Sequence, residues 1–138
     1  MSKIPVLVID DDSDARTLLE LALSVEGFAV RCAVNGADAL RVARRWRPDV
    51  ILLDLAMPVM DGYVFRAAQL LDPVLAAIPV ICVSGRHDAE QAARDLQLAG
   101  CVPKPFALAE LIRRVQDLVR WPRARGAAVP DAPPATGV

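Results

Sequence analysis

Asp49-Val50-Ile51-Leu52-Leu53-Asp54-Leu55-Ala56-Met57-Pro58 is the stretch whose reading decides the fold. Four consecutive apolar residues, two of them β-branched, lead into a carboxylate and then a Met-Pro turn. An unbroken run of this kind suits a central parallel strand buried on both faces, where alternation is not required. Asp54 then falls at the strand's carboxyl end, the edge where open α/β sheets bind ligands. A carboxylate there does chemistry, binds a cation or caps a turn.

Outward from this strand the pattern alternates. Residues 4–9 are an apolar run that ends in Asp10, Asp11 and Asp12, and Asp12 or Ser13 can cap the helix that follows. Ala15, Leu18, Leu19, Ala22 and Val25 keep helical spacing up to the stop at Gly27. Phe28, Val30 and Cys32 alternate as a short strand, and Asn35-Gly36 opens an arginine-studded helix that Pro48 stops before the central strand. After it, Asp61-Gly62 turns into a helix over 63–71, closed by Asp72-Pro73. A strand over 80–83 delivers Ser84-Gly85. The spacing then predicts a helix over 88–98 and a last short strand at Cys101-Val102, running into Pro103-Lys104-Pro105. Leu108, Leu111, Ile112, Val115 and Leu118 form the apolar stripe of a final amphipathic helix. Five strand–helix alternations imply an α/β fold: a parallel sheet covered on both faces by right-handed crossovers. Residues 1–120 read as one domain. Residues 121–138, with four of the eleven prolines and no periodicity, read as a disordered tail.

Composition narrows the class. At 138 residues and 54% apolar the chain can bury a core without staples. A net charge of −1 creates no field toward nucleic acid or membrane. No apolar run reaches a membrane span, and no signal-peptide pattern opens the sequence. Cys32, Cys82 and Cys101 are odd in number and lie in apolar surroundings, so they read as buried free thiols of a cytoplasmic protein. The arginines from Arg41 to Arg47 read as a solvated helix face, and His87 as an exposed loop residue. P-loop and dinucleotide fingerprints are absent from the sequence.

Four predicted strands end in Asp10-Asp11, Asp54, Ser84 and Lys104, which a parallel sheet gathers on one edge. Clustered carboxylates repel, and an all-oxygen set suits Mg²⁺ with waters. A carboxylate in that setting can be a nucleophile toward phosphorus, giving an aspartyl phosphate. Lys104 and the Ser84 hydroxyl would hold the other phosphoryl oxygens. Of sixteen basic residues only Lys3 and Lys104 are lysines, so a compact ammonium was kept at the one interior position where arginine was avoided.

Asp10-Asp11, Asp54 with Met57-Pro58 and Asp61-Gly62, Ser84, and Lys104-Pro105-Phe106 together resemble the signature of response-regulator receiver domains. The match runs from about Lys3 to Arg120. The resemblance implies a flavodoxin-like (βα)5 fold, doubly wound with five parallel strands, and a stand-alone receiver of two-component signalling. It implies a phosphoryl group taken from a sensor histidine kinase or phosphotransfer protein onto Asp54. Asp11 and Asp54 would be carboxylate ligands of Mg²⁺, Asp10 would contribute partly through water, and Ala56 would offer its backbone carbonyl. It further implies a cis Lys104-Pro105 bond, no external substrate, and a downstream protein docking on the last-helix face, with no nucleic acid or membrane bound. Two alternatives remain in view: a pseudo-receiver acting as an interaction module, and a Mg²⁺-dependent phosphohydrolase. The second lacks an aspartate two residues after Asp54, where Ala56 stands. The chain departs from the family pattern at several places. Asp12 is a third acid, read as a helix cap. Gly85 replaces a frequent alanine, Gln97 a common glycine, and Ala107 a better helix cap. Cys101 stands where receivers usually carry the aromatic switch residue, which puts the usual Ser84–aromatic coupling in doubt.

Overall fold

The computed structural model describes residues 3–55, 61–85 and 87–120. The chain runs β1 (Ile4–Ile9), α1 (Ser13–Val25), β2 (Phe28–Ala33), α2 (Gly36–Trp46), β3 (Val50–Leu53), α3 (Gly62–Leu71), β4 (Val80–Ser84), α4 (Ala89–Asp95), β5 (Gly100–Pro103) and α5 (Leu108–Arg120). The strands form one sheet in the order β2-β1-β3-β4-β5, every pairing parallel. This is the flavodoxin-like order, with its topological switch between β1 and β3. The expected tail, residues 121–138, lies outside the described residues, as does Ala56.

The unbroken apolar run of β3 is explained by what covers it. Successive residues of a strand point to opposite faces. Ile51 and Leu53, with Leu7 and Ile9, pack under α2, α3 and α4, where Ala39, Ala43, Phe65, Ala89 and Ala92 close the layer. Val50 and Leu52, with Val6 and Val8, pack under Leu19 and Leu23 of α1 and Leu111 and Val115 of α5. Alanines on α2 and α4 let those helices sit close to the sheet.

The caps follow the sequence. Asp12 accepts from the Asp14 N–H, Asn35 from Asp38 at 2.8 Å and Asp61 from Val64 at 2.9 Å, each filling an orphan donor at a helix start. Gly62 has a different constraint. Its N–H donates to the Leu55 carbonyl at 3.0 Å, and a Cβ there would lie 2.7 Å from the Leu55 Cα. Only glycine lets α3 start directly against the end of β3.

Two expectations are corrected. The helix predicted over 88–98 ends at Asp95, because Gln97 takes a left-handed conformation (φ 56°). The Leu98 N–H then reaches back to Ala93 at 2.9 Å and the Gln97 N–H to Arg94 at 3.1 Å, a Schellman stop with glutamine in the glycine position. Of the three thiols, Cys82 and Cys101 are buried, but Cys32 is only half-buried because β2 is an edge strand. Arg41, Arg44 and Arg45 are exposed on α2, as expected, and His87 is exposed in a turn.

Candidate functional site

The carboxyl ends of β1, β3, β4 and β5 converge as the strand pattern required. Asp10 follows β1, held by its N–H to the Ala33 carbonyl (3.1 Å), and Asp54 follows β3, held by its N–H to the Ile9 carbonyl (3.0 Å). Both are buried, while Asp11 is exposed beside them. Asp10, Asp11 and Asp54 each offer a carboxylate oxygen within 4.8 Å of the others. Three hard oxygen donors at that separation fit a divalent cation such as Mg²⁺.

Lys104 reaches into this cluster from the end of β5. Its Nζ lies 2.8 Å from Asp10 Oδ2 and 3.6 Å from Asp54 Oδ2. Burial alone would lower the ammonium's pKa, but the Asp10 hydrogen bond and the charges of Asp54, Asp10 and Asp12 hold it above the usual lysine value. Lys104 is therefore a fixed cation at neutral pH. Its own N–H donates to the Ser84 carbonyl at 2.9 Å, coupling the ends of β4 and β5, and the Lys104-Pro105 peptide is cis, as expected. Ser84 is buried at the end of β4. Cys101 is buried on β5, directly opposite Cys82 of β4 in the sheet register. Asp12 caps α1, as read from the sequence.

Sequence reading missed two arginines. Arg16 donates from Nη1 to the Asp10 carbonyl at 2.7 Å, one turn into α1, and thereby fixes the backbone beneath the acids. Arg66 is buried and donates to the carbonyls of Leu96 (3.1 Å) and Gln97 (3.0 Å) and to Gln69 Oε1 (2.8 Å). Gln69 passes the network on to the carbonyls of Leu75 and Ile78. The signal for Arg66 was present: it is the one charged residue in α3.

Fold and pocket together define a class: a doubly wound α/β domain with three acids and a lysine at the carboxyl edge of its sheet. Residues 6–116 match the response regulator receiver domain model, and the chain belongs to that family. It is 45% identical over 119 residues to the transcriptional regulatory protein PrrA of Mycobacterium tuberculosis, a match that covers 83% of this chain and 49% of the relative. It is 34% identical over 125 residues to the response regulator MprA of Mycobacterium leprae, covering 89% of this chain and 54% of that one. The chain thus spans about half the length of the curated relatives it matches. Among solved structures, the chemotaxis protein CheY4 of Vibrio cholerae superposes with a TM-score of 0.79 at 28% identity, covering 86% of this chain and all of that one. A response regulator from Chloroflexus aurantiacus gives 0.80 at 28% identity, covering 85% and 98%.

Proposed function

We propose that the chain is the phospho-accepting receiver of a two-component relay, taking a phosphoryl group onto Asp54 from a phosphohistidine of a sensor kinase or phosphotransfer protein. The observation that carries this reading is Asp54 at the sheet edge, with the Lys104 ammonium 3.6 Å from its Oδ2 and two further acids within metal-ligating distance. An Asp54 carboxylate oxygen forms the new O–P bond. The P–N bond of the donor breaks, and the imidazole nitrogen leaves with the electron pair and takes a proton. Mg²⁺, held by Asp11 and Asp54 with Asp10 and the Ala56 carbonyl, would offset charge on the transferring phosphoryl oxygens. Lys104 and the Ser84 hydroxyl would hold those oxygens as charge develops. The reaction is self-modification with no external substrate, in the cytoplasm, and a downstream protein reads the state. Intact mass after acetyl phosphate treatment tests it. Wild type should gain one phosphoryl group only with Mg²⁺ present, and Asp54→Asn none; equal gain in both refutes the assignment.

Readout would pass through the Ser84 loop rather than a swinging ring. Cys101 carries a small buried thiol, so the switch position on β5 has no ring whose rotation could remodel the face of β5 and α5. Gly85 is exposed, and a Cβ there would meet nothing closer than 3.8 Å, so the backbone beside Ser84 has room to move. Hydrogen exchange with and without beryllofluoride should change most over residues 84–88. The largest change on α5, with 84–88 silent, would show conventional readout instead.

A further inference from the structure

The middle helix of the α2–α3–α4 layer has an exterior unlike its neighbours'. Val64, Ala67 and Leu71 fall three and four residues apart on its outward side, all exposed, with Leu70 and Val74 exposed beside them. Leu71 is 84% exposed. The single charge of α3, Arg66, is turned inward onto the end of α4, so nothing on the helix itself interrupts this apolar strip. Contiguous apolar strips with polar rims mark interaction surfaces.

The rim gives the partner's chemistry. Arg41, Arg44 and Arg45 lie three and four residues apart on the exposed side of α2. The Arg44–Asp72 pair at 3.3 Å shows that this basic side borders the end of α3. Asp38 and Asp72 offset only part of that charge. Apolar anchors at helical spacing beside a row of arginines fit an amphipathic helix whose apolar stripe is edged by Asp or Glu. A lipid surface fits less well: the strip carries no exposed aromatic anchor, and Glu90 and Asp95 are exposed on α4 at the layer's other side.

We infer that the outer face of α3, rimmed by the arginines of α2, is a docking site for an acidic-edged amphipathic helix of a partner protein. The site goes beyond the phosphoryl chemistry and stands in the unphosphorylated chain. The full-length chain, methyl-labelled and without phosphoryl donor, is titrated with two synthetic helical peptides that share a leucine stripe, one edged by glutamates and one by lysines. The glutamate peptide should shift the methyl signals of Val64, Leu70, Leu71 and Val74 and bind at least about tenfold more tightly than the lysine peptide. The preference should weaken in high salt. Leu71→Glu, at a position that contributes nothing to the core, should abolish the shifts, and Arg41→Glu with Arg45→Glu should invert the preference between peptides. The inference is overturned if both peptides bind equally or neither binds, or if the shifts fall on Leu18, Leu21 and Val25 of α1. It is also overturned if Leu71→Glu instead abolishes sedimentation with phosphatidylglycerol vesicles or concentration-dependent self-association.

Discussion

Asp10 is the residue around which the pocket is held rigid. Its Oδ1 accepts from the Asp12 N–H, its Oδ2 from Lys104, and its carbonyl from Arg16. An acid anchored on three sides suits a supporting role, while Asp11, exposed at the rim, is placed to meet a cation arriving from solvent. A second residue with a perturbed environment lies away from the pocket. Burial, reinforced by the Glu20 carboxylate 4.0 Å away, raises the Cys32 thiol from 9.0 to about 11. Between those values the unfolded chain has lost the proton while the folded chain keeps it, so stability falls as pH rises through that window. Urea midpoints at pH 8 and pH 10.5 should therefore drop further in wild type than in Cys32→Ala. An equal drop in both would remove Cys32 from the account.

The elements show which local rules sequence patterns carry. Periodicity and caps located α1, α2 and α5 because the determinants lie within each helix: Asp12, Asn35 and the Leu108-to-Leu118 stripe. The end of α4 was not legible in the same way. It is set by Gln97 in the left-handed region and by Arg66, whose guanidinium reaches the Leu96 and Gln97 carbonyls from a helix about thirty residues earlier. Glutamine in that conformation is strained by about 1–2 kcal/mol relative to glycine. After the extra entropy that glycine loses on folding, Gln97→Gly should gain about 0.5–1 kcal/mol. A raised denaturation midpoint would bear this out, and a lowered one would mean that the glutamine side chain contributes something the backbone geometry does not reveal.

At the scale of the molecule, the acid cluster sets stability against function. Without a metal ion, Asp10, Asp11 and Asp54 repel one another, and the single Lys104 ammonium offsets only part of their charge. Asp11→Asn should raise the melting temperature in EDTA by about 2–4 °C. Mg²⁺ at ten times its Kd should add about 1.4 kcal/mol to wild type and less to the mutant. Superimposable wild-type melts with and without Mg²⁺ would remove the metal from the pocket. The site's position was readable because its residues sit at strand ends, where a parallel sheet leaves no choice about the edge they share. The half-exposure of Cys32 was not, because which strand lies at the sheet's margin depends on strand order, and no single strand's pattern encodes that. The thiols have a practical consequence for anyone attaching a probe. Cys82 and Cys101 are buried, burial raises the Cys101 thiol, and Cys32 stays protonated well above neutral pH. Maleimides require an accessible thiolate. The native chain is thus a nearly silent background for cysteine labelling. A single cysteine placed at an exposed position such as Gln116 would carry a spectroscopic reporter without first stripping out the three natural ones.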